Sequence, residues 1–172
     1  STVTPTRVTS EPQSANVTPS ALHLVLDWRN IPGESSGDVT ATIPVGDGPV
    51  SLAIDLEADR IYVANAWSAT VSIIDGETNS VAATIAAGAR PRGIGVNHGT
   101  GRFYVADEES DEVLVVDAAT NQVLKTVAAG DRAWAIAVNP DTNRIYVANG
   151  SGNTVSVIDG AKDEVIATVP TG

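Results

Sequence analysis

The stretch RIYVANAWSATVSIID (60–75) decides the fold, because it comes back twice. It returns as RFYVADEESDEVLVVD (102–117) and as RIYVANGSGNTVSVID (144–159). Tyr62, Tyr104 and Tyr146 are therefore spaced by the same 42 residues. Working outward, residues 43–84, 85–126 and 127–168 lie over one another without a gap, and Val169-Pro170-Thr171-Gly172 opens a fourth copy. Self-similarity at a fixed period marks a repeat architecture, in which each unit buries its apolar faces against its neighbours.

Each unit holds four short β-patterned runs. In the third copy these are 133–138, 144–148, 154–158 and 164–169. Between them stand turn signals: Asn139-Pro140-Asp141-Thr142-Asn143, Gly150-Ser151-Gly152-Asn153 and Asp159-Gly160-Ala161-Lys162-Asp163. Gly and Asn tolerate the positive φ of tight turns, and Pro140 presets one. No segment has helical periodicity of useful length. Four strands in forty-odd residues, repeated, is the pattern of a β-propeller blade. A β-solenoid usually repeats at a shorter period. The fold class is thus all-β, with three full four-stranded antiparallel blades at 47–88, 89–130 and 131–172. The first strands, 50–54, 92–96 and 133–138, are expected to be innermost. Small residues there, Ser51, Ala53, Gly93, Gly95, Ala135 and Ala137, let strands crowd near the axis.

Ahead of the full copies, Leu22-His23-Leu24-Val25-Leu26-Asp27 resembles a third strand with its closing Asp. Asp38-Val39-Thr40-Ala41-Thr42 resembles a fourth, so residues 21–46 read as the outer half of a blade. Three and a half blades do not close a ring. The expectation is that further blades or a second chain complete it. Residues 1–20 contain twelve Ser, Thr or Pro and read as a disordered tether, with a glycosylation sequon at Asn16-Val17-Thr18.

Composition narrows the function classes. Apolar residues are 42% of the chain but aromatics only 4%, so the core must be mainly aliphatic. The net charge of −11 repels a nucleic-acid backbone or an anionic membrane. No apolar run approaches the roughly 18 residues that span a bilayer. There is no Cys, and His23 and His98 stand far apart, so thiolate metal sites and a Ser-His-Asp triad are poorly supplied. The chain starts at Ser1 and holds no Met, which reads as a processed or excised product.

The repeated Tyr-Val-Ala-Asn/Asp, followed by Val-x-Val-Ile-Asp and Thr-Asn-x-Val, resembles the YVTN family of β-propeller repeats. Ala stands where that family usually has Thr. The resemblance covers residues 37–172 and implies a bacterial or archaeal protein that is secreted or held at the cell envelope. Similar propellers occur in lyases, lactonases and quinoprotein-associated subunits, but none of their catalytic motifs maps onto this chain.

Residues shared by all copies should serve the repeat. The three Tyr are expected to pack between blades and to spend their hydroxyl on one hydrogen bond. Asp75, Asp117 and Asp159 are expected to cap the turns that follow them. Function should lie where copies differ, on the face formed by the fourth-to-first and second-to-third loops. There stand Trp67, Arg90, Arg92, Arg132 and Trp134, a candidate ligand-binding set. The arginines and indoles would make a polar, aromatic-edged surface, and Trp stacks on sugars, peptides and cations at little entropy cost, which suits a protein, peptide or glycan partner. Asp107, Glu108, Glu109 and Asp111 are a candidate oxygen-ligand set for Ca²⁺, though without an EF-hand pattern. His98 replaces the turn proline and falls on the opposite face. The leading expectation is a non-catalytic binding scaffold. The alternative is an enzyme or enzyme subunit with a site at the channel mouth.

Overall fold

The structure is a computed structural model that describes strands Ala21–Leu26 and Val39–Pro44 and the continuous chain beyond them. The tether, the Asn16 sequon and the 28–37 turn lie outside the described residues. Strands β1 (Ala21–Leu26) and β2 (Val39–Pro44) pair antiparallel, Ala21 opposite Pro44 and Leu26 opposite Val39. Three four-stranded antiparallel sheets follow, each running in sequence order. Blade 1 is β3 (Pro49–Asp55), β4 (Arg60–Asn65), β5 (Thr70–Asp75) and β6 (Ser80–Ala86). Blade 2 is β7 (Pro91–Asn97), β8 (Arg102–Asp107), β9 (Glu112–Asp117) and β10 (Val123–Ala128). Blade 3 is β11 (Ala133–Asn139), β12 (Arg144–Asn149), β13 (Thr154–Asp159) and β14 (Glu164–Pro170). These are β-propeller blades, as the repeat requires. The one helical element among the described residues is a 3-10 turn, His98–Thr100.

Local chemistry explains the punctuation. Each turn places one residue in the left-handed region, and Asn, Asp or Gly mostly fills it: Asp59, Gly101 and Asn143 after the first strands, Asn79, Asn121 and Asp163 after the third. The closing aspartates cap as expected. Asp75 Oδ1 accepts from Thr78 N–H at 2.8 Å, Asp117 Oδ1 from Thr120 N–H at 2.7 Å and Asp159 Oδ1 from Ala161 N–H at 3.0 Å. Backbone donors to Asp75, Asp117 and Asp159 are the largest cause holding all three carboxyls below their ordinary value.

The innermost strands β3, β7 and β11 run side by side, and the core fills the gaps between sheets. Between blades 1 and 2, Tyr62, Val71 and Ile73 meet Phe103, Val105, Leu114 and Val116. Tyr62 stacks on Phe103 with ring centroids 4.4 Å apart. Between blades 2 and 3, Tyr104, Val113 and Val115 meet Ile145, Val147 and Ile158. A repeated arginine ties each junction. Arg60 Nη1 donates to the Ala118 carbonyl at 2.6 Å, and Arg102 Nη1 to the Gly160 carbonyl at 3.1 Å, one repeat further on.

The tyrosines depart from expectation in two respects. Among the described residues the hydroxyls of Tyr62 and Tyr104 are buried without a hydrogen-bond partner. Burial raises both phenols above their ordinary value. Tyr146, by contrast, is 38% exposed, since no described element covers that face of blade 3. Arg144, with no further blade beside it among the described residues, pairs with Asp159 of its own sheet at 2.9 Å.

Candidate functional site

The site grows from two irregularities of the blade. The loop between second and third strands is hydrogen-bonded to the loop leading into the first strand. Ala66 N–H donates to Gly48 O at 2.8 Å, Glu108 N–H to Arg90 O at 3.0 Å and Gly150 N–H to Arg132 O at 2.8 Å. These loops therefore share one face in every blade. Beside them the first strand bulges. In blade 1 the pairing jumps from Pro49–Asn65 to Ser51–Ala64, so Val50 falls out of register. Arg92, with Gly93, and Trp134 fall out of register at the same place in blades 2 and 3. A bulge bends the strand and re-aims its side chain. Val50, Arg92 and Trp134 occupy one repeat position, and all three line a recess of about 190 Å³ with Ser51, Gly93 and Ile136.

Three guanidinium groups meet beside this recess. Glu108 is 4% exposed, and its carboxylate accepts from Arg92 Nε at 2.6 Å and from Arg132 Nη2 at 2.5 Å. Arg90 Nε stands 3.4 Å away. Burial alone would push the Glu108 carboxyl up. The hydrogen bonds from Arg92 and Arg132 and the arginine charges outweigh it, and the carboxyl sits below its ordinary value. The Arg92 guanidinium also lies 4.5 Å from the Trp134 ring centroid, a cation–π contact that fixes its plane. Arg132 is held in the left-handed region at φ 55°, where blade 1 places Gly48 at φ 65°. A non-glycine side chain there costs about 1 kcal/mol. Trp67 lies over Gly48 and remains 59% exposed.

The structure thus brings Arg90, Arg92, Arg132 and Trp134 together across blades 2 and 3 and sets Trp67 on the loop of blade 1. The acidic run behaves differently from a cation cage. Asp107 turns inward and accepts from Ala89 N–H at 2.6 Å, Arg90 N–H at 2.9 Å and Glu109 N–H at 3.1 Å. Burial raises its carboxyl, but those N–H donors outweigh it and the net direction is down. Glu108 is taken by arginine, and Asp111 accepts from Arg132 N–H at 2.7 Å. Glu109 is exposed. Among the described residues no three acidic or His side chains converge as metal ligands. Of these carboxylates, Asp107 and Asp111 cap backbone donors and Glu108 neutralises guanidinium groups. His98 lies at the other end of the strands, 3.6 Å from Glu57.

One co-variation within the repeat escaped the sequence reading. Asn65 donates to Thr70 and Ser72, and Asn149 to Thr154 and Ser156. Blade 2 has Asp107, Glu112 and Leu114 at these positions. The hydroxyl of Ser72 or Ser156 has no counterpart on Leu114, and Asp107 takes backbone donors instead. The signal was present in the aligned copies as a joint change of three positions.

No protein-family model and no curated protein matches the chain. Solved structures do. One is the hydrazine synthase of Kuenenia stuttgartiensis, 28% identical, with a TM-score of 0.68, over 70% of this chain and 35% of that one. Another is a functionally unknown protein from Desulfotomaculum acetoxidans, 15% identical, with a TM-score of 0.74, over 89% of this chain and 50% of that one. The chain therefore spans between a third and a half of the solved chains it resembles. The likeness agrees with the propeller fold read from the repeat and the sheets.

Proposed function

We propose that the chain is a YVTN-type β-propeller repeat module of a secreted or cell-surface protein, and that its loop face binds a protein, peptide or glycan without catalysing a reaction. The observation that carries this is the bulged position 50/92/134. Three different side chains are re-aimed there onto one recess, beside arginines and indoles that the repeat itself does not need. Alanine at both Trp67 and Trp134 is expected to abolish capture on a glycan and peptide array. Undiminished capture by that variant would count against the reading.

The outer face of blade 3 supports a second part of the same proposal. Tyr146 and Arg144 repeat residues that are occupied by the next blade at the two junctions already formed. A further blade, in the same chain or in a partner, satisfies both.

The 28% identity to a hydrazine synthase chain favours a second reading, a propeller subunit of a larger enzyme. That reading predicts co-purification with catalytic partners, and a channel-mouth metal site predicts thermal stabilisation by Ca²⁺ or Mg²⁺. Absence of both would remove it.

A further inference from the structure

The described residues include eight of the ten cationic side chains of a molecule whose net charge is −11. Arg60, Arg102 and Arg144 serve the blades. Lys125 reaches the Lys162 carbonyl of the next blade. Of the other four, Lys162 stands on the turn before β14, while Arg90, Arg92 and Arg132 gather at one spot around a single carboxylate. Glu108 pairs with these guanidinium groups and fixes the geometry, while Asp107 and Asp111 accept from the backbone N–H groups of Arg90 and Arg132. Arg92 is spent, since its guanidinium is clamped between Glu108 and the Trp134 ring. The side chains of Arg90 and Arg132 are 40% and 51% exposed, so each keeps N–H donors facing solvent. Planar forks of this kind match a carboxylate bidentately.

Three further observations narrow the ligand. The recess beside the forks is small, about 190 Å³, and its rim combines Trp134, 45% exposed, with the Ser51 hydroxyl. An indole over a shallow recess suits one ring laid flat, with polar groups at its edge. Asp47, Glu109 and Asp131 are exposed on the same loops, so a run of negative charges would be repelled a few ångströms from the forks. Arg132 is retained at a left-handed position where blade 1 uses glycine, so the side chain is kept against its backbone preference.

We infer that this cluster is a binding site for a single carboxylate on a sugar ring, a terminal pyranose uronate. The carboxylate lies between Arg90 and Arg132, and the ring lies against the exposed part of Trp134 that Arg92 leaves uncovered. The inference rests on the loop-face reading above and adds the ligand class. Its physical basis is the pair of exposed guanidinium forks standing beside the indole.

The test is titration of the full chain with methyl glucuronoside and with neutral methyl glucoside, followed by saturation-transfer NMR. The uronate is expected to bind at least ten times more tightly. Raising salt from about 0.05 M to about 0.5 M should weaken it severalfold, because exposed forks are screened. Arg132→Gly installs the residue that blade 1 already uses at this backbone conformation, so the fold should persist by thermal melting while the preference for uronate is lost. Equal binding of both sugars, abolished by Trp134→Ala, would overturn the carboxylate site and leave the loop-face reading intact. No binding of either sugar, or tighter binding of a short peptide through its free C-terminus, would overturn the sugar ligand. Uronate binding unchanged in both Arg132→Gly and Trp134→Ala would overturn the site.

Discussion

Asp107 shows how much one atom can change. Blades 1 and 3 place an asparagine there, whose amide N–H₂ donates to two hydroxyls. Blade 2 lacks the hydroxyl at Leu114 and uses a carboxylate to accept from Ala89 and Arg90 N–H. Asp107→Asn should therefore destabilise by about 1–2 kcal/mol, although it copies the neighbouring blades, because it exchanges an acceptor for a buried donor without a partner. Adding Leu114→Ser should recover part of the loss in chemical denaturation. The lowered carboxyls of Asp107 and Glu108 also set a pH dependence. Their folded values lie below their unfolded ones. Their stabilisation is thus full above the ordinary carboxylate range and is lost as pH falls through the lowered folded values. Melting temperature should drop as pH goes below about 4, and Glu108→Gln should make that drop shallower. The role of Glu108 was not legible in sequence. A Glu within DEESDE looks like a solvated acid, and only the bulge that delivers Arg92 and the loop that delivers Arg132 make it an internal counter-ion.

At the scale of the element, the strands were legible because three aligned copies average out local ambiguity. The expected first strand 133–138 is β11, Ala133–Asn139, and the expected 154–158 is β13, Thr154–Asp159. The end residues were missed because Asn139 and Asp159 look like turn residues, yet they still pair with Arg144 across the ladder. The bulges could not be read, since one extra residue in a first strand leaves the 42-residue period unchanged. Two element-level predictions follow from backbone position. Ala69 is held at φ 56°, where the other copies have Asp111 and Asn153. Ala69→Asn should stabilise by about 0.5–1 kcal/mol, read as a raised urea midpoint. Gly93 faces the backbone of β11, and an added Cβ would lie 2.8 Å from Ala135 Cα, Ile136 N and Trp134 O. Gly93→Ala should cost about 1–3 kcal/mol and displace Trp134, because backbone cannot move aside as a side chain can.

At the scale of the molecule, the repeat supplies its own control for the uncovered face. Tyr104 is fully buried between two blades, whereas Tyr146 is 38% exposed. Tyr104→Ser should destabilise strongly, by about 3 kcal/mol or more. Tyr146→Ser should leave stability nearly unchanged and reduce association, read by light scattering after size exclusion. Equal effects of the two substitutions would show that the blade 3 face is already covered in solution.

The arginine that reaches one repeat ahead, Arg60 to Ala118 and Arg102 to Gly160, has an evolutionary corollary. Because both junctions between the three described blades use the same fastener in the same register, unequal crossing-over can add or delete a whole unit and regenerate valid junctions on both sides. Such a gene can drift in unit number without losing its product. The Arg92–Glu108–Arg132 cluster is the exception, since it straddles one particular boundary. Recombination there would separate Glu108 from Arg132, so that boundary should be the last in the array to tolerate an insertion.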